Sequence, residues 1–98
     1  MKINFTTLAQ QEYQEAVFYF DDQSPDLADQ FIEEIEEAVQ LILSFPNAWG
    51  KAGDKQRKYI LKRFPYIILY KLYEDHVIIS AIAHQHRNPS YWIEREIK

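Results

Sequence analysis

The hydrophobic period of this chain changes once, and that change dictates the fold class. Between residues 7 and 44 apolar side chains recur at three- and four-residue spacing, the period of an amphipathic helix. Between residues 57 and 84 they come instead as short runs rich in Ile, Val and Tyr, the signature of strands. The divider, residues 45–56 (FPNAWGKAGDKQ), holds both glycines and a proline and is expected to be an exposed loop. A pattern written for one period does not settle into the other, so helices come first and the sheet follows. Ninety-eight residues make one core and not two. The prediction is a single α+β domain over 1–98, with an N-terminal strand and an antiparallel helical hairpin packed on a small, mainly antiparallel sheet.

Local signals fill in this outline. Lys2 to Phe5 reads as a short opening strand, after which Thr6 and Thr7 offer a hydroxyl cap to a helix over 7–21. Its core face would be Leu8, Ala9, Tyr13, Ala16, Val17 and Phe20. Ser24 as N-cap, Pro25 at the first helical position, and Asp26 and Asp29 near the positive end of the dipole open a second helix, which runs to Ser44. Leu27, Ala28, Phe31, Ile35, Ala38, Val39 and Ile42 form its core face. The short gap between the helices makes them an antiparallel hairpin. Three strands are expected at Arg57–Arg63, Tyr66–Tyr73 and His76–His84, the last two joined by a tight turn at Glu74-Asp75. Their unbroken apolar character predicts central strands covered by the helical hairpin. Ser90 to Lys98 is expected to form a short last helix or turn.

Composition excludes several classes of function. With no cysteine there is no disulfide, no thiolate metal site and no Cys nucleophile. The opening residues lack an apolar signal core, and no apolar run approaches a membrane span, so a cytoplasmic protein with no membrane association is expected. The net charge of −4 hides a division: residues 1–50 carry ten carboxylates against Lys2, and residues 51–98 carry ten Lys and Arg against five carboxylates. One half is strongly acidic and the other basic.

The candidate sites follow that division. Asp26, Asp29, Glu33, Glu36, Glu37 and Gln40 share one side of the second helix, either a solvated face or a docking surface for a basic segment. Phe18-Tyr19-Phe20 points rings in three successive directions, more than one sheet can cover, so some apolar surface is left for a partner. His84 and His86 are two apart, a spacing some zinc sites use, but no carboxylate or third histidine lies close in sequence, and no metal or cofactor is expected. The basic half mixes Lys55, Arg57, Lys58, Lys62, Arg63, Lys71 and Arg87 with Tyr59, Tyr66, Tyr70, Tyr73, Tyr91 and Trp92. Cations with rings suit nucleic acid, yet a pI of 5.3 is far from the basic values of unaided nucleic-acid binders. RNA cleavage would need a proton-transfer group and phosphate clamps, for which His84 or His86, Arg63, Arg87 and Tyr91 are the available residues.

The order of parts, with RKYILKRFPYIILYKL and HVIISAIAHQHRNPSYW as the strand region, resembles the RelE/ParE superfamily of type II toxin–antitoxin toxins over essentially the whole chain. The residues that carry the likeness are Phe64-Pro65-Tyr66 with Ile68 and Tyr70, then Ala81 to His84, then Arg87, Pro89, Tyr91, Trp92 and Arg95. The resemblance implies a toxin held in a hetero-oligomer by a cognate antitoxin, whose C-terminal segment wraps over the toxin as helix and extended chain. Phe18, Tyr19, Glu33 and Glu37 are the expected antitoxin contacts. Two branches exist: ribosome-dependent mRNA endonucleases, in which Arg63, His84, Arg87 and Tyr91 would be catalytic, and ParE-like inhibitors of DNA gyrase. An acidic total, and a lysine cluster reduced to Lys51, Lys55 and Lys58 beside Asp54, favour the ParE-like branch. Arg57, Arg63, Arg87, Tyr91, Trp92 and Arg95 are then the expected gyrase contacts. The alternatives are the endonuclase activity on ribosome and mRNA, and a non-toxic member that only binds its antitoxin.

Overall fold

The structure is a computed structural model and describes residues 1–53 and 55–86. Its elements are β1 (Lys2–Phe5), α1 (Thr7–Gln23), α2 (Pro25–Ser44), β2 (Arg57–Ile60), β3 (Tyr66–Tyr73) and β4 (His76–His84). The sheet order is β1-β4-β3-β2; β1 runs parallel to β4, and the other two pairings are antiparallel. A parallel pair needs a crossover, and the whole of α1, α2, β2 and β3 separates β1 from β4.

Thr6 starts α1 as expected, its Oγ1 accepting from the Ala9 N–H at 3.1 Å. The helix runs to Gln23, two residues beyond the predicted end, so a single residue separates the two helices. That residue is Ser24. Its N–H donates to the Phe20 carbonyl at 2.9 Å, and its own carbonyl accepts from Leu27 and Ala28 at 3.0 and 3.3 Å. One extended residue (φ −168°, ψ 131°) thus closes one helix and opens the next. The Ser24 hydroxyl makes no capping bond, and the restricted φ of Pro25 starts α2 in its place.

The strand predicted over Arg57–Arg63 ends at Ile60. Beyond it Leu61 and Phe64 turn into the core, and the Lys62 and Arg63 amides donate to the Glu34 carboxylate of α2, at 2.5 Å and at 3.1 and 3.3 Å. Glu34 is only 4% exposed. Helical spacing alone does not separate a carboxylate facing water from one capping a distant turn.

Against the helices the sheet presents Ile68, Tyr70, Val77, Ile79 and Ile82, which join Phe20, Phe31 and Ile35 in the main core. Phe20, Phe31 and Phe64 form a ring triangle with centroids 4.9–5.2 Å apart, tilted to edge-on, the geometry aromatic quadrupoles favour. Leu8, predicted to be core, is half exposed. The hairpin covers one face of the sheet only. On the other face Ile67, Leu69, Ala81 and Ala83 cluster with Ala52 of the 45–56 loop. In β4 the register shifts at Ser80, since Leu69 pairs with Ala81 but Tyr70 with Ile79. The buried Ser80 hydroxyl donates to Gln56 Oε1, tying this bulge to the loop. Past the end of β1 the freed Ile82 amide finds Glu12 Oε1 at 3.1 Å.

Candidate functional site

A helix hairpin laid on a sheet buries the inward stripe of each helix and leaves a furrow between them. Here the furrow is apolar. Around Phe5, Tyr13, Ile35, Val39 and Leu41 it opens a cavity of about 730 Å³, rimmed by Glu36, Glu37 and Gln40. Tyr13 also lines a second cavity of about 350 Å³, with Gln14, Val17, Phe18 and Ile32. The two share a wall and form one surface along the hairpin, reaching β1 at Phe5. Burial raises the Tyr13 phenol above its usual range, and the Glu36 carboxylate raises it further. Tyr13 therefore stays a neutral hydrogen-bond donor at the middle of the groove. Such a surface accepts a row of apolar side chains from a partner helix, with the rim carboxylates favouring basic flanks.

The four residues expected to bind an antitoxin are placed unequally. Phe18, 70% exposed, lines the second cavity and Glu37 rims the first. Tyr19, 60% exposed, leans the other way, into a pocket of about 360 Å³ with Phe20, Gln23, Pro65, Tyr66 and His84. Glu33 is exposed outside all three. Phe5, Ile32 and Leu41 carry much of the groove and were missed from sequence. Leu41 and Ile32 fall beside the predicted core stripe, and that widening of the apolar arc was the signal.

Among the described residues the basic side chains do not share one face. Arg57 points to the helix side with Tyr59 and Tyr70, where a terminal guanidinium nitrogen donates to the Trp49 carbonyl at 2.7 Å. Lys58, one residue on, points to the opposite side. Arg63 is half exposed at the turn after β2, its Nε 3.6 Å from Glu34 Oε1. The strand ends at His84, and His86 stands in the following turn. Their rings are nevertheless 5.2 Å apart, and His84 Nδ1 accepts from the His86 amide at 3.2 Å. His84 also meets the edge of Tyr66 at 5.4 Å. His76, at the far end of β4, contacts Asp75 at 2.8 Å. Among the described residues no three His, Asp or Glu side chains gather into a metal-ligand set. Arg87, Tyr91, Trp92 and Arg95 lie outside the described residues, as does the predicted last helix or turn.

Fold and groove together define a class: a small α+β domain with one helical hairpin on a four-stranded sheet and an open apolar furrow along the hairpin. A family model described as the ParE toxin of the type II toxin–antitoxin system parDE matches residues 3–89, and the chain belongs to that family. It is a ParE-type toxin, as the sequence resemblance implied. The fold is that of a solved structure, the chromosomal ParDE toxin–antitoxin system from P. aeruginosa, with a TM-score of 0.75 and 18% identity; 86% of this chain and 95% of that chain are covered. Comparison with curated protein sequences gives no match. The family match ends at Pro89, so Tyr91, Trp92 and Arg95 also lie beyond it. No helix among the described residues is long and apolar enough to cross a membrane.

Proposed function

We propose that this toxin acts in the cytoplasm by inhibiting DNA gyrase, and that a cognate antitoxin neutralises it in a hetero-oligomer by laying a segment along the α1–α2 furrow. The observation that carries the reading is the ParE family match over residues 3–89. The groove supports the antitoxin half: its floor is apolar, its rim is acidic, and among the described residues β1 beside it is an outer strand of the sheet, able to pair along its other edge. Phe18 and Glu37 contact the segment directly, with Phe5, Tyr13, Val39 and Leu41 as the floor. The gyrase contacts proposed are Arg57, Arg63, Arg87, Tyr91, Trp92 and Arg95; of these Arg63 is half exposed, and Arg57 is engaged with the Trp49 carbonyl.

The test is a supercoiling assay with purified gyrase and relaxed plasmid. The toxin is expected to inhibit supercoiling in a dose-dependent manner, and a peptide of the cognate antitoxin to restore it. Undiminished supercoiling at saturating, folded toxin sinks the gyrase assignment. Cleavage of a defined mRNA on translating ribosomes would replace it with the endonuclease alternative.

A further inference from the structure

Tyr13 stands where the two cavities of the furrow meet, lining the one of about 730 Å³ with Phe5, Ile35 and Val39 and the one of about 350 Å³ with Val17, Phe18 and Ile32. Its ring is held on two sides. Phe5 stacks on it at 6.2 Å and 15°, and the fully buried Phe31 meets it at 6.1 Å and 55°, so packing fixes where the hydroxyl sits. Tyr70 gives its hydroxyl to the Pro46 carbonyl, inside the chain. Tyr13 gives its own to no group among the described residues, and the atom is not sealed from water.

In the free toxin water serves this hydroxyl. A segment filling both cavities displaces that water, and an unbroken apolar stripe would leave the hydroxyl covered and unpaired, which costs more than an ordinary hydrogen bond contributes. An oxygen on the segment removes the cost. Its charge is constrained as well. Burial, and then the neighbouring Glu36 carboxylate, keep the phenol neutral, and the same carboxylate repels a second one, so the acceptor has to be an uncharged amide or hydroxyl oxygen. A hydrogen bond demanded at one fixed point separates partners more sharply than apolar area does, because a mismatched partner leaves the donor unsatisfied.

We propose that Tyr13 determines the specificity of the furrow: it selects a helical segment whose apolar stripe is interrupted at one position by Asn, Gln, Ser or Thr, with apolar residues on both sides for the two cavities and basic residues toward Glu36 and Glu37. The inference rests on the furrow being the antitoxin site and is indifferent to the toxin's target. The probes are synthetic peptides: a lysine-flanked amphipathic helix with an unbroken leucine stripe, long enough to span both cavities, and its variants with Gln in place of each leucine in turn. Calorimetric titration gives their affinities for the toxin and for Tyr13→Phe, which keeps the ring and its packing. The parent peptide is expected to bind Tyr13→Phe several-fold tighter than the toxin. At most positions Gln should weaken binding to both proteins equally. At one position the loss should be about tenfold smaller on the toxin than on Tyr13→Phe, the coupling of a single hydrogen bond. Leu41→Asp separates the two possible failures. Parent binding that this variant leaves unchanged, or no binding by any peptide, overturns the furrow as the docking site and this inference with it. Binding that Leu41→Asp weakens, with no position coupled to Tyr13, overturns this inference alone.

Discussion

Two buried polar side chains fasten the helical layer and the loop to the sheet. Glu34 accepts the amides of Lys62 and Arg63, which would otherwise be left without backbone partners in a turn between two buried residues. In Glu34→Gln the new NH₂ faces a donor, and the variant should lose about 1–3 kcal/mol. Urea unfolding is expected to show a lower midpoint with an unchanged m-value. Tyr70 does the same for the loop through the Pro46 carbonyl. Burial pushes its phenol up to about 12, against the opposing pull of Arg57. A folded-state value above the unfolded one, near 10, means the neutral phenol is favoured in the native state, so this contribution is intact below about pH 10. It is lost as pH rises from about 10 through 12. Tyr70→Phe should lower stability at neutral pH by about 1 kcal/mol and flatten the alkaline fall, with Tyr13, Tyr59 and Tyr66, also raised by burial, keeping some slope. Stability measured by urea titration between pH 7 and 11.5 checks both signs. Neither residue announces this role in the sequence: Glu34 is one carboxylate among ten in its half, and Tyr70 one tyrosine in an apolar run.

At the scale of elements, β1, β3 and β4 begin and end where the residues said they would, and α2 also, because each boundary is set by a local signal: a hydroxyl cap, a proline, a two-residue turn. The boundaries that moved were set by distant partners. β2 stops at Ile60: the Leu61 amide still reaches Tyr66, but the Lys62 and Arg63 amides after it go to Glu34, far along the chain, and α1 gains two residues because Ser24 serves both helices at once. The furrow is likewise a property of two helices together. Leu41→Asp introduces a charge into its floor at a position already 36% exposed, so the fold should survive. Affinity for an antitoxin peptide is expected to fall about tenfold or more, since a buried unpaired carboxylate costs several kcal/mol. Calorimetric titration reads the loss, and an unchanged circular dichroism spectrum excludes unfolding as its cause. Ser80, whose extra residue in β4 shifts the pairing, has no pattern in the sequence that marks it.

For the whole molecule the charge division keeps its meaning in part. The acidic half became the helical layer and rims the groove, so encounter with a basic antitoxin segment should be steered electrostatically. The association rate constant, measured by stopped flow, is expected to fall about tenfold between 50 and 500 mM salt, while the dissociation rate changes little. Among the described residues the basic half did not become one face. Residues alternate across a strand, so Arg57 and Lys58 part to opposite sides, and the cations divide between the helix side, the turn at Arg63 and the far side of the sheet. The sequence alone determined the fold class, the order of elements and the family, because these follow from hydrophobic period and local punctuation, which are written in neighbouring residues. Only the tertiary structure decided which carboxylate is buried, where the furrow opens and which cations part, because those depend on side chains brought together from distant positions by packing.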